Sequence, residues 1–133
     1  MENTNKLESG FQINKIMLVE SSFSRKNHVE LETYITNINI EVGVNVDGMV
    51  VTVEEEISVE QKVQEIEQVK IKVKMVGIFE CTGDSPIKDL DVFGKVNGAA
   101  IIFPYIREHI TNLSLKSGLR AIILPPVNFT KNK

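Results

Sequence analysis

Apolar and polar residues alternate with a period of two along much of the first 80 positions and recur near every fourth residue over 99–116. The pattern predicts strands followed by a helix. In residues 38–46, Ile38, Ile40, Val42, Val44 and Val46 alternate with Asn39, Glu41, Gly43 and Asn45. One face of such a strand is buried and the other wet. Asp47-Gly48 follows, and Met49, Val51 and Val53 resume the alternation. Asp-Gly between two alternating runs is a strong hairpin signal, so residues 38–57 are expected to form an antiparallel hairpin.

Phe11 to Phe23 reads as a long strand in which Phe11 and Ile13 share one phase and Ile16 and Leu18 the other. That change predicts a bulge, or a strand buried partly on both faces. Residues 24–36 are polar, carry Tyr34 and read as a crossing loop. Glu54, Glu55 and Glu56 read as a solvated end of the hairpin, and residues 58–66 either extend the strands or begin a short helix. Residues 67–82 form a fourth strand, in which Gly77 marks a bulge or a close backbone approach.

After residues 82–86 the period changes. Residues 87–95 are expected to form a short helical turn. Ile102, Ile106, Ile110 and Leu113 lie on one face of a helix over 99–116, which either starts near Pro104 or kinks there. Gly118 stands where a helix-ending residue belongs, and the prolines at 125 and 126 make the closing segment extended. Strands followed by helices, without alternation of the two, give an α+β fold with an antiparallel sheet. Residues 1–10 are expected to be a flexible polar tail, and residues 11–133 a single domain.

The net charge of −3 comes without a basic face, which argues against nucleic acid as a partner. Lys70, Lys72 and Lys74 alternate with Val69, Ile71, Val73 and Met75, the pattern of a solvated strand face. The polar N-terminal segment has no apolar stretch of a signal peptide, and no apolar run reaches membrane-spanning length. With the single cysteine Cys81, this predicts a cytoplasmic protein with no direct membrane insertion. His28 and His109 are unrelated in spacing, and one cysteine with two scattered histidines makes no zinc site. The dispersed glycines form no phosphate loop. No catalytic residue, metal or cofactor is therefore expected.

One segment stands apart: Ile101-Ile102-Phe103-Pro104-Tyr105-Ile106-Arg107-Glu108 puts two aromatics and a proline at the start of the helix. From Ile102 to Glu108 it resembles the signature stretch of the SecB family of protein-export chaperones. Leu124-Pro125-Pro126-Val127-Asn128-Phe129 resembles that family's closing segment, Phe11-Gln12-Ile13-Asn14-Lys15-Ile16 its first strand, Ser22-Phe23 its SFE motif, and Gly77-Ile78-Phe79 the end of its fourth strand. The blocks share the family's order and spacing over roughly residues 11–129.

The resemblance implies a SecB-like α+β domain, a four-stranded antiparallel sheet with helices packed on one side, assembled as a homo-oligomer, a dimer of dimers. It implies a holdase that binds unfolded or non-native polypeptide clients in apolar and aromatic grooves and passes them to SecA for export. Phe23, Tyr34, Phe79, Phe103 and Tyr105 are then the expected client-binding lining, and Glu20 the expected SecA contact. The glutamate of the SFE motif is Ser24 here, followed by Arg25 and Lys26. A dedicated chaperone of one partner, such as an antitoxin, therefore stands as an alternative to export. A scaffold domain whose aromatics are all core is the reading from another class.

Overall fold

β-Branched side chains are stiff and pack well on a pleated surface, and the Val- and Ile-rich stretches of this chain become long strands. The computed structural model describes residues 10–30, 33–82 and 87–132. Its strands are β1 (Phe11–Arg25), β2 (Ile35–Asp47), β3 (Val50–Val63) and β4 (Ile66–Cys81). They form one antiparallel sheet in the order β1-β4-β3-β2. Apart from Gly10, the expected tail lies outside the described residues, as do residues 31 and 32 of the crossing loop and residues 83–86.

The β2–β3 hairpin closes where Asp-Gly predicted it. Asp47 pairs with Val50, and Gly48 takes φ +61°. The β3–β4 turn is less obvious. Gln64 and Glu65 form it at φ 50° and 69°, a region that costs residues with a Cβ about 1–2 kcal/mol each. Residues 58–63 are strand, not helix, because each pairs with both β2 and β4 or continues the β4 ladder.

The phase change in β1 is a pair of bulges. The register to β4 shifts between Ile13 and Lys15 and again between Leu18 and Glu20. Phe11, Ile13, Ile16, Leu18, Ser21 and Phe23 thereby face the same side as Cys81, Phe79, Gly77, Met75, Val73 and Ile71. A strand of strict alternation could not bring those residues to one face.

A helical layer covers that face. It comprises α1 (Leu90–Phe93), a π-helical turn (Gly94–Gly98) and α2 (Ala99–Lys116). Asp89 caps α1 by accepting a hydrogen bond from the Val92 amide at 3.1 Å. The helix α2 runs through Pro104 rather than starting there, with the proline ring exposed. Ile102, Ile106 and Ile110 are fully buried, as are Val51, Val53, Ile57 and Val59 of β3 and Val69, Ile71, Val73 and Phe79 of β4. Gly77 is a site of close approach: a Cβ there would meet Ile102 Cδ1 and the Phe79 ring at 2.9 Å.

Gly118 ends the helix at φ +77°. The chain then turns back along α2, held by two side chains. Ser114 Oγ accepts a hydrogen bond from the Ile122 amide at 2.9 Å, and Thr111 Oγ1 donates to the Ile122 carbonyl at 2.7 Å. Leu119, Ile122, Leu124 and Phe129 are buried along this return, which ends in a 3-10 turn, Phe129–Asn132.

Candidate functional site

The two faces of the sheet differ in chemistry. On the open face, β4 presents Lys70, Lys72 and Lys74 between carboxylates of its neighbours. Lys72 lies 3.7 Å from Glu20 of β1 and 3.9 Å from Glu56 of β3, and Lys74 lies 3.2 Å from Glu54. The lysines therefore stand on a solvated strand face, and Glu20 is ion-paired within its own sheet.

On the helix side, β2 is only partly covered. Ile40, Val42, Val127, Phe129 and Lys95 line a groove of about 230 Å³ between β2 and the returning C-terminal segment. It is built by strand alternation, which turns Ile40 and Val42 inward, and by Phe129, buried at its base. Ile35 and Ile38 add exposed apolar surface along the same edge strand. A second hollow, of about 420 Å³, lies on the outer side of α2 among Pro104, Glu108, Leu115 and Ile123.

The expected aromatic lining separates by burial. Phe79 is fully buried, in edge contact with Phe93 at 5.8 Å and Phe11 at 6.2 Å between ring centroids. Phe103 is also buried, packed edge-on to Phe129 at 5.8 Å with the Arg107 guanidinium 5.6 Å from its ring centre. Both are core residues of this chain, because Phe11 and Phe93 close over the first and Phe129 over the second. Phe23 is half-buried against the core, and Tyr34 is half-buried at the entry to β2. Tyr105 is 52% exposed on α2. The five residues thus do not meet in one cleft. The groove residues Ile40, Val42 and Val127 were missed because an aliphatic strand residue in a groove has the same pattern as one in the core.

The crossing loop is fastened at its start. Arg25 donates from Nε to the Lys26 carbonyl at 2.9 Å, from a terminal nitrogen to the Asn27 carbonyl at 3.0 Å, and to the Ser117 carbonyl at the end of α2. Gln68 of β4 holds the loop from the other side: its carbonyl accepts from the Lys26 amide and its side chain from the Glu30 amide, each at 2.8 Å.

Glu55 departs most from the sequence reading. It belongs to the middle of β3 rather than to a solvated end, and its side chain is fully buried on the helix side while Glu54 and Glu56 face outward. Burial pushes its carboxyl up to about 8. Cys81 is buried too, which raises its thiol above the ordinary range and leaves it protonated. His109 Nε2 lies 2.9 Å from Ser21 Oγ, tying α2 to β1. Among the described residues no group of acidic, cysteine or histidine side chains is placed to hold a metal ion, and no helix is long and apolar enough to cross a membrane.

An antiparallel sheet with one helical layer, an apolar groove along its edge strand and a salt-bridged open face defines a small α+β protein with surfaces suited to holding chain segments. The family model for preprotein translocase subunit SecB matches residues 4–131, and the chain belongs to the SecB family. It is 28% identical over 134 residues to the protein-export protein SecB of Aromatoleum aromaticum, covering 96% of this chain and 84% of that protein. It is likewise 28% identical over 124 residues to SecB of Burkholderia lata, covering 90% and 77% of the two chains. Among solved structures, it is similar to the Mycobacterium tuberculosis SecB-like chaperone Rv1957 in complex with a ChAD peptide from the HigA1 antitoxin. That likeness has a TM-score of 0.76 and 17% identity, and covers 96% of this chain and 98% of the other.

Proposed function

We propose that this protein is a SecB-like holdase of the cytoplasm that binds unfolded polypeptide without chemical catalysis. The observation that carries the reading is the groove between β2 and the C-terminal segment, lined by Ile40, Val42, Val127 and Phe129. An extended client can lay alternate apolar side chains into such a groove while its backbone meets the outer edge of β2, the last strand of the described sheet. Each apolar contact is driven by area removed from water, at about 25 cal/mol per Å² before ordering costs. Tyr34, at the entry to β2, extends this surface along the same strand, and Phe103 supports it through Phe129, whereas Phe23 on β1 at the opposite edge of the sheet and Phe79 against Phe11 and Phe93 lie away from it. Tyr105, with Leu115 and Ile123, belongs to the outer side of α2, which we assign to self-association into a dimer or a dimer of dimers.

Transfer of clients to SecA is the reading for the open face with Glu20. The observation favouring a dedicated chaperone instead is local: Ser24 replaces the motif glutamate, and Lys72 neutralises Glu20. The SecB-like chaperone that resembles this chain in fold holds an antitoxin peptide, which supports the same alternative. Light scattering of several unrelated unfolded proteins diluted from denaturant, with and without this protein, tests the general reading. Suppression of aggregation of several clients is expected of a general holdase. Suppression of none overturns it.

A further inference from the structure

Glu55 occupies a position at which every pattern rule asks for an apolar side chain. It faces the helical layer from β3, with Val42 of β2 and Met75 of β4 as its cross-strand neighbours. The residue has no exposed surface, and neither carboxyl oxygen has a hydrogen-bond partner among the described residues. A buried, unpaired carboxylate costs several kcal/mol, so the group takes a proton instead.

The surroundings contain little to stabilise its charge. On this face β2 presents Ile38, Ile40, Val42, Val44 and Val46, and β4 presents Ile71, Val73, Met75 and Phe79, with Cys81 at the far end. Beyond β4, β1 adds Leu18 and Phe23, and Arg25 at its end is held by the Ser117 carbonyl. From α2, His109 bonds Ser21, while Arg107 lies over Phe103. From the C-terminal segment, Arg120 and Lys131 are exposed. Lys95, on the π-helical turn, lines the groove beside Val42 and is ion-paired to Asp91 at 2.9 Å.

We propose that Glu55 is a proton-dependent latch for the groove: neutral, it lets β2 and the C-terminal segment stay packed over β3, and ionised, it drives that seam open to water and to clients. Only the access of clients rests on the groove being the client site. The direction follows from linkage. The carboxyl ionises at about 8 when buried and near 4.5 when solvated. The closed state therefore binds the extra proton, its stability is full below the solvated value, and it is lost as pH rises toward 8. Val42 joins the two parts of the device, since it is both the cross-strand neighbour of Glu55 and a wall of the groove.

Hydrogen–deuterium exchange of the intact protein at pH 6 and pH 8.5, corrected for intrinsic exchange rates, tests this without any client. In the wild type, protection of residues 40–44 and 127–129 is expected to fall on the order of tenfold or more over that interval. In Glu55→Gln and Glu55→Leu it should hold constant, and the apolar leucine keeps the comparison available should the glutamine variant not fold. Equal protection at both pH values in the wild type overturns the latch. So does the same loss in the variants, or a loss spread equally over Ile71–Val73 of β4, which would be global loosening. Capture of unfolded client at pH 6 and 8.5 is read separately. Normal exchange behaviour without any capture preserves the latch and removes the chaperone reading.

Discussion

Side chains of the same type serve different ends here according to which way the backbone aims them. Phe103 and Tyr34 are the clearest pair. Phe103 is wedged between Phe129 and the Arg107 guanidinium in the sheet–helix seam, so Phe103→Ala opens a cavity and should cost roughly 3–5 kcal/mol of stability. Thermal unfolding should show a Tm lower by many degrees. Tyr34, half-buried beside the edge strand, should behave in the opposite way. Tyr34→Ala is expected to leave Tm nearly unchanged and to weaken binding of an unfolded client by about 1–2 kcal/mol, roughly 5- to 30-fold. A large fall in Tm, or untouched client binding, would remove Tyr34 from the groove.

Whole elements depend on single junctions. The β3–β4 turn forces Gln64 and Glu65 into the left-handed region, which the long ladders on either side impose and a Cβ resists. Glu65→Gly should therefore raise stability by about 0.5–1 kcal/mol, measured by urea denaturation, because glycine enters that region freely. The C-terminal return is fixed more locally. Ser114 is fully buried and bonds both the Thr111 carbonyl and the Ile122 amide. Ser114→Ala leaves that amide unpaired, at a cost of about 1–3 kcal/mol. Faster hydrogen exchange over residues 119–129, with β4 still protected, is the expected signature. Exchange unchanged over the return would mean that its apolar residues alone hold it.

At the scale of the molecule, β1 and β2 are the long edge strands of the described sheet, and among the described residues the outer side of α2 carries exposed apolar side chains. Ile13, Leu18 and Val19 of β1 are 46–50% exposed, and Leu115 and Ile123 are 56% and 71% exposed. Uncovered strand edges invite pairing with another chain, and a second copy is the simplest cover. Light scattering at micromolar concentration should give a dimer or larger. Leu115→Glu combined with Ile123→Glu should shift the particle to a smaller size, since charges would be buried at the proposed contact. A wild-type monomer would count against the assembly.

Local periodicity was enough to determine the strands around the Asp47-Gly48 turn, the helix over Ile102, Ile106 and Ile110, and the phase change in β1, which the register to β4 then resolved as bulges. Each of these depends on residues close in sequence, and each leaves its mark as a period or a phase change. The motif blocks from Phe11 to Phe129 carried the family in the same way. Tertiary structure alone decided the rest. Phe79 and Phe103 became core because elements distant in sequence close over them. The groove appeared because Val127 and Phe129 return to lie across β2. Glu55, in the middle of an acidic triplet, could be distinguished from its neighbours only once strand register was known: a shift of one residue exchanges the faces of a sheet, and a carboxylate on one face meets water while on the other it meets Val42 and Met75.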